Sequence, residues 1–412
     1  MKISIFTPTH NATYLRELYD SIKNQKFDEW LILANNVTID IPEIINDSRV
    51  KIVVENNVTN NVGALKRIAC FNCSGDILVE VDHDDLLTDG AIDEIRKAFE
   101  EDSEVGFVYS NSANFQNDFE ATPKYGAYWG WEHRDYYHKG HLLYEHVAFN
   151  HTPASVSKIW YAPNHVRAWR ADVYKQIDGH NPKLEILDDG ELVMRTYLVT
   201  KFKHIDKCLY LYRISTTGSN TWLKRNKEIQ AGVYPLYDKF IYKLVTRWAE
   251  INNLPKIDLG GRFSCPIGYK SVDLNGEPDY KFDLNKQWLL SDNSVGVLRA
   301  HDVIEHLKNP IHFMKEAFRV LVDGGYLMIM VPSTDGRGAF QDPTHISFWN
   351  ENSFWYYTRK EQSKYIDTPV RFQAVRLVTG YPSDWHKQNK IPYVYAQLQA
   401  LKGQRVCGGV DI

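Results

Sequence analysis

The chain is 412 residues long, with 43% hydrophobic residues, 24% charged residues and a formal net charge of −4. Such a length suits two domains better than one, and the composition supports a buried core in each. The acidic balance leaves no electrostatic footprint for DNA or RNA, and no apolar run reaches the length of a membrane span, so neither is an expected partner.

Taken in chain order, KISIFTPT reads as a buried strand, and YLRELYDSIKNQ places Leu15, Leu18, Tyr19 and Ile22 on one helical face. WLILANN and VKIVVEN are short apolar strands ending in polar residues. GALKRIACFNC is helical, DILVEVD a strand, and AIDEIRKAFEE an amphipathic helix entered through Thr88 and Asp89. VGFVYS adds another strand, and the βαβ rhythm predicts a mostly parallel, Rossmann-like sheet with helices on both faces. Residues 120–180 are irregular and rich in aromatic residues. A helical stretch over 226–254 follows, closed by Pro255, and is the expected linker between domains at 1–225 and 255–412. The second domain repeats the α/β pattern: KIDLGG, YKSVDL, VGVLRAHD and YLMIMVP are strands. Between the last two, IHFMKEAFRVL is a helix carrying Ile311, Met314, Phe318 and Leu321, stopped by Gly324 and Gly325.

The five cysteines (Cys70, Cys73, Cys208, Cys265 and Cys407) are scattered, and the lone C-x-x-C has no second pair to complete a zinc site. With MKISIFTPTH lacking the apolar segment of a signal peptide, free thiols in the cytoplasm are the expectation. Aromatic residues make up 13% of the chain, a share that suits either sugar stacking or a large core. Trp129, Trp131, Trp160 and Tyr161 are candidates for either role.

In α/β sheets ligands bind beyond the carboxyl ends of the strands, and TPTHN, ANN and DHDD all stand there. Asp82 and Asp84, one residue apart at a strand end, point to the same side, and the turn brings in Asp85. Clustered carboxylates without a basic neighbour suit Mg2+ or Mn2+ shared with a diphosphate. The competing use of Asp84 and Asp85 is to cap the next helix.

TPTHN, the block NNVGALKRIACFNCSGDILVEVDHDD and the later LEILDDGELVMRTYL, in that order, resemble the family 2 glycosyltransferases of the GT-A fold. The resemblance covers about residues 1–225. It implies metal-dependent transfer of a sugar from a nucleotide-sugar, with a UDP-sugar favoured, to a glycan or other hydroxyl acceptor with inversion. It also implies roles for residues. Thr7, Pro8, Thr9 and Asn11 form the loop beneath the base, and Asn35 or Asn36 takes the place of an aspartate that often binds the base. Gly63 and Lys66 lie beside the donor, with Lys66 near the diphosphate. Asp82 touches ribose or metal, Asp84 the metal, and His83 and Asp85 the donor. Asp189 is the general base, with Asp188 as its alternative; helix capping is the competing use of this pair. Arg170 is a fold contact. Ser215 stands where many members have a histidine.

The segments KIDLGGRFSCPIGYKSVDLNGEPDYKFDL and VGVLRAHDVIEHLKNPIHFMKEAFRVLVDGGYLMIMVP resemble class I S-adenosylmethionine-dependent methyltransferases. That implies S-adenosylmethionine bound by Gly260, Gly261, Asp273, Asp283, His301 and Asp302, with His306 and His345 as candidate bases. Only a short span separates LGGRF from SVDL, which leaves little room for a first helix. A glycosyltransferase that also O-methylates its glycan is the leading reading. The alternatives are a non-catalytic binding or dimerisation module in the second domain, and a transferase acting on nucleic-acid bases. A homo-oligomer is left open.

Overall fold

Apolar runs bounded by polar turns become strands in the computed structural model, which describes residues 1–57, 61–157, 165–215, 224–403, 405 and 407–408. Trp160 and Tyr161 lie outside the described residues. The chain divides into two units, Met1–Leu244 and Val245–Ile412, and the division falls inside one helix, Asn226–Ile251.

The first unit contains β1 (Ile3–Thr9), β2 (Glu29–Asn35), β3 (Val50–Glu55), β4 (Ile77–Glu80), β5 (Leu86–Leu87), β6 (Val105–Phe115), β7 (Glu132–His138), β8 (His141–Val147), β9 (Arg167–Arg170) and β10 (Lys201–Arg213). Its sheet runs β3-β2-β1-β4-β9-β6-β10-β5, with the β7–β8 hairpin attached through β8 to β6. Strands β3, β2, β1 and β4 are parallel, whereas β9 runs antiparallel to both neighbours. Strand order reverses between β1 and β4, a switch point of the kind beyond whose carboxyl ends α/β sheets bind ligands. The central strands are buried on both faces, which explains why they read as continuous apolar runs.

Leu15, Leu18 and Ile22 are the buried face of the helix Leu15–Ile22, as their spacing requires. The helix Val62–Asn72 is capped by Asn61, whose side chain accepts from the Ala64 N–H at 2.8 Å. The helix Ala91–Glu101 differs from expectation at its entry. Gly90 precedes it with no side-chain cap, and the Thr88 hydroxyl instead donates to the Cys208 carbonyl at 2.9 Å.

In the second unit, β11 (Lys256–Leu259), β12 (Lys270–Asp273), β13 (Tyr280–Lys281), β14 (Val295–His301), β15 (Leu321–Pro332), β16 (Phe372–Gly380) and β17 (Tyr393–Ala400) form a sheet ordered β13-β12-β11-β14-β15-β17-β16. The first five are parallel, and β17 is antiparallel to both neighbours. Here the order reverses between β11 and β14. No helix intervenes between β11 and β12.

Two details of this unit correct the sequence reading. The helix Pro310–Val320 buries Phe313, Met314, Ala317 and Val320, whereas Ile311 and Phe318 are half-buried and Leu321 already opens β15. Asn309 caps the helix through the His312 N–H, so its core face is set one position from the expected one. Gly324 and Gly325 do not stop the helix; they lie within β15. There Gly324 has φ +79°, and the pairing jumps from Val295–Leu321 to Val297–Tyr326. That extra length is a bulge, which glycine accommodates.

Among the described residues none of the five cysteines is in a disulfide. Among the described residues no helix is long and apolar enough to cross a membrane.

Candidate active site

A buried ion-pair network lies at the β4–β9 strand pair, and its hub is a residue to which the motifs assign no role. Glu80, the last residue of β4, is fully buried. It accepts from Lys66 Nζ at 2.5 Å and from Arg167 Nη2 at 2.6 Å, and Lys66 and Arg167 are buried too. Burial opposes the Glu80 charge, but Arg167 and Lys66 hold its carboxyl well below the usual range. The two cations reach onward. Lys66 Nζ lies 3.2 Å from Asp82 Oδ1, and Arg167 Nη1 lies 3.3 Å from Asp189 Oδ2. A continuous chain of charges therefore joins Asp82, just after β4, to Asp189, at the start of the helix Asp188–Val199. Both ends open to solvent, with side-chain exposures of 30% and 33%.

The carboxylates of this site have unequal surroundings. For Asp82, burial raises the proton affinity, but the Lys66 ammonium overrides it and the group sits below its ordinary value. Asp84 is half-buried and raised by burial, and among the described residues its carboxylate forms no hydrogen bond or ion pair with another residue. Asp188 is buried, and burial together with the Asp189 charge pushes its carboxyl up to about 7. Neither acid of that pair is the N-cap of its helix, a place held by Leu187 at φ +60°. Both still sit in the first turn, where the helix dipole favours negative charge.

Other sequence candidates take places that geometry corrects. Thr7 is fully buried and accepts from Trp30 Nε1 at 3.0 Å, so it anchors the core and not a base. Thr9 is buried as well; its hydroxyl donates to the Asn11 carbonyl at 2.7 Å and shapes the turn that exposes His10 and Asn11. Pro8 is half-buried, Asn35 is buried at the end of β2, and Asn36 is exposed and donates to Asn35 Oδ1 at 3.3 Å. Lys66 faces two carboxylates, so its ammonium is committed to Asp82 and Glu80. Asp85, expected at the donor, is 1% exposed with both oxygens turned inward. It accepts from the Tyr210 hydroxyl and from the Arg213 N–H, each at 2.7 Å, and ties the aspartate loop to β10. Neither Asp84 nor Asp85 caps the next helix. His83 stays half-buried, edge-on to the His10 ring at 5.1 Å.

Gly63 is set by a close approach. A Cβ there would fall 2.8 Å from Asp188 Oδ2, so the absent side chain makes room for that carboxylate. Arg170 is the fold contact expected, donating to the Val105 and Phe99 carbonyls at 2.7 Å. Trp131 is buried among Tyr125, His146 and Phe149, whereas Trp129 is 49% exposed. Glu80 and Arg167 left only a faint mark in the sequence. A lone acid in the apolar run DILVEV demands a buried cation, and VRAWR supplies one.

In the second unit the sequence candidates gather on one sheet edge. Gly260 and Gly261 follow β11, Asp273 ends β12, Asp283 follows β13, and His301 and Asp302 end β14. Gly260 has φ +73° and packs where a Cβ would meet Val303 at 2.5 Å. Asp273 and Asp283 each accept a backbone N–H two residues on, at 2.9 Å. Beneath them lies Asp258, fully buried, with Oδ1 taking Arg299 Nη1 at 2.7 Å and Oδ2 without a partner. His306 and His345 meet with ring centroids 4.9 Å apart.

The family model for glycosyl transferase family 2 matches residues 4–158, and that for a methyltransferase domain matches residues 276–329. A hyaluronan synthase of Pasteurella multocida is 25% identical over 234 residues, 54% of this chain and 21% of that protein. A chondroitin synthase of Pasteurella multocida (strain Pm70) is 25% identical over 233 residues, with the same coverage of 54% and 21%. This chain thus spans about a fifth of the length of those curated relatives. Among solved structures, S. aureus TarS 1-349 in complex with UDP-GlcNAc has a TM-score of 0.43 at 16% identity, covering 61% of this chain and 73% of its own. The mannosyltransferase PcManGT from Pyrobaculum calidifontis, in complex with GDP-Man and Mn2+, has a TM-score of 0.41 at 15% identity, covering 59% and 68%. The chain therefore carries a glycosyl transferase family 2 domain at its N-terminus and a methyltransferase domain at its C-terminus.

Proposed function

We propose that the first unit transfers a sugar from a nucleoside diphosphate donor to a hydroxyl acceptor with inversion, and that the second methylates a hydroxyl of the same glycan. The observation that carries the first half is the charge chain Asp82–Lys66–Glu80–Arg167–Asp189. It holds two solvent-facing carboxylates in fixed relation across the β4–β9 strand pair, and fixed positioning of reacting groups lowers the barrier.

The aspartate loop fits a divalent ion: Asp84 has no side-chain partner among the described residues and stands beside Asp82, which the Lys66 ammonium keeps charged, and both are hard oxygen donors. Bound there, the ion would neutralise charge developing on the departing diphosphate. Lys66 keeps Asp82 ionised and aimed, and Asp85 fixes the loop from behind. On the acceptor side Asp189 takes the hydroxyl proton as the oxygen attacks the anomeric carbon, and the bond from that carbon to the diphosphate breaks. Arg167 holds the Asp189 carboxylate in place. Asp188, raised to about 7, is largely protonated in mildly acidic solution, so it adds little repulsion when Asp189 ionises. Pro8, His10, Asn11 and Asn36 offer the solvent-facing surface for the base. A UDP-sugar donor has the support of the motif resemblance alone.

For the second unit, S-adenosylmethionine fits the edge made by Gly260, Gly261, Asp273 and Asp283. The buried, partnerless Asp258 Oδ2 is an acceptor placed under the glycine turn, where an amino-acid ammonium would satisfy it. The cofactor supplies the methyl group; the chain supplies carboxylates for its ribose and ammonium.

A screen of nucleotide-sugars for Mn2+-dependent hydrolysis tests the first half. Asp84→Ala should abolish hydrolysis and leave S-adenosylmethionine binding by calorimetry intact. Retained metal-dependent hydrolysis in that variant would overturn the assignment.

A further inference from the structure

After β14 the chain makes a short 3-10 turn, Ile304–His306, and 36 residues later the segment 342–347 folds back against it. The two are stitched by backbone: the Glu305 carbonyl accepts from the N–H groups of Ile346 and Ser347, both at 2.9 Å, and the Ser347 hydroxyl donates to the Ile304 carbonyl at 2.7 Å. This docking sets Glu305, His306 and His345 together, each with one ligand atom within 4.8 Å of the others.

The Glu305 side chain is 3% exposed, yet neither carboxylate oxygen has a hydrogen-bond partner. The backbone N–H groups of Val303 and of Glu305 itself approach the carboxyl and favour its charged form, but burial outweighs them and raises its proton affinity. His345 Nε2 lies 3.9 Å from Glu305 Oε1, too far for a hydrogen bond. Two ligands sharing one ion tetrahedrally, with bonds of roughly 2.0–2.2 Å, lie about 3.3–3.6 Å apart, so a bound ion would draw this pair a few tenths of an ångström closer. The outer contacts match as well. His345 Nδ1 faces the Ala339 carbonyl at 3.0 Å, which places the proton on Nδ1 and frees Nε2 as a donor of electrons. His306 Nδ1 is oriented by the Thr344 carbonyl at 3.2 Å and the Thr344 hydroxyl at 3.1 Å. Asp342 Oδ2 stands 4.0 Å from His345 Nε2, a further oxygen within reach.

We propose that Glu305, His306 and His345 form a binding site for a divalent transition-metal ion, separate from the ion expected at Asp82 and Asp84. The alternative role for the two histidines, as free general bases, leaves both buried Glu305 side-chain oxygens without a hydrogen-bond partner among the described residues. Two imidazoles and one carboxylate suit Zn2+, Co2+ or Mn2+ better than Mg2+ or Ca2+, which prefer all-oxygen shells. Phe340 and Phe348, stacked at 5.2 Å and well exposed, flank the returning segment and offer an apolar surface next to it. On the reading that this unit methylates a hydroxyl, the ion binds that acceptor oxygen; this last clause rests on the proposed function, the site itself does not.

The experiment is titration of the chelator-treated full-length protein with Co2+, followed by visible absorption. In the Asp84→Ala background, which silences the first unit's site, one Co2+ with a histidine-bound spectrum is expected. Glu305→Gln, His306→Ala and His345→Ala should each weaken it at least about tenfold. Unchanged near-ultraviolet circular dichroism in the same samples excludes unfolding as the cause. A Co2+ spectrum and affinity unaltered by all three substitutions, or no stoichiometric binding, overturns the site. S-adenosylmethionine calorimetry on the same protein reports on the methyltransferase reading independently, so either can fail alone.

Discussion

Glu80 and Asp84 are both acids at the end of one strand, and they should fail in opposite ways when replaced. Glu80 is the fully buried carboxylate that Arg167 pairs with, and it shares Lys66 with Asp82. Removing one member of a buried ion pair typically costs about 3–5 kcal/mol, because the partner charge stays buried. Glu80→Gln should therefore lower unfolding free energy by an amount of that order in urea titrations, whereas Asp84→Ala should leave stability within about 0.5 kcal/mol and abolish transfer. Asp188 predicts a pH effect. Its folded carboxyl is raised to about 7 while the unfolded chain has the ordinary value near 3.8, so the folded state binds the proton more tightly. Stability from this group is fully present below pH 3.8 and is lost as pH rises through about 7. Asp188→Asn should flatten that part of the profile in thermal melts recorded between pH 5 and pH 8.

At the scale of elements, the helix Val62–Asn72 and the helix Asp188–Val199 meet through one missing side chain. Gly63→Ala would put a methyl 2.8 Å from Asp188 Oδ2 and 2.9 Å from Asp188 Cβ, so the acidic pair must move. A displacement near 1 Å at a catalytic group costs on the order of 100-fold in rate. Gly63→Ala should therefore depress kcat far more than donor KM, a split that steady-state kinetics reads directly. The aspartate loop was legible as a strand end rich in acids, but its division of labour was not. Asp85 and Asp82 look equivalent in DHDD, and only β10 distinguishes them, by offering Tyr210 and the Arg213 N–H to one. The same holds for TPT, in which Thr7 turns into the core to meet Trp30. At Gly324 a local rule misled in another way: paired glycines after a helical run read as a stop, yet Asn309 and Pro310 had already set the helix one position over.

For the whole molecule, each unit has its own sheet and its own hydrophobic cluster, so the two chemistries should be separable. Asp273→Asn should weaken S-adenosylmethionine binding in calorimetry while leaving nucleotide-sugar hydrolysis at the wild-type rate. Loss of both activities from that single change would count against two independent sites. The parallel strands of the two α/β units and the placement of acids at their ends were readable from residue order, whereas β7, β8 and β9 within the stretch 120–180, and β16 and β17, were not. Period, turn residues and capping act over a few positions and need no distant partner. What only the folded chain decided is which charged groups are bare and which are spent. Glu80 meets Lys66 across 14 positions and Arg167 across 87, and Asp85 meets the Arg213 N–H across 128. Such pairings are products of sheet topology, and a buried charge takes its chemistry from its neighbours in space.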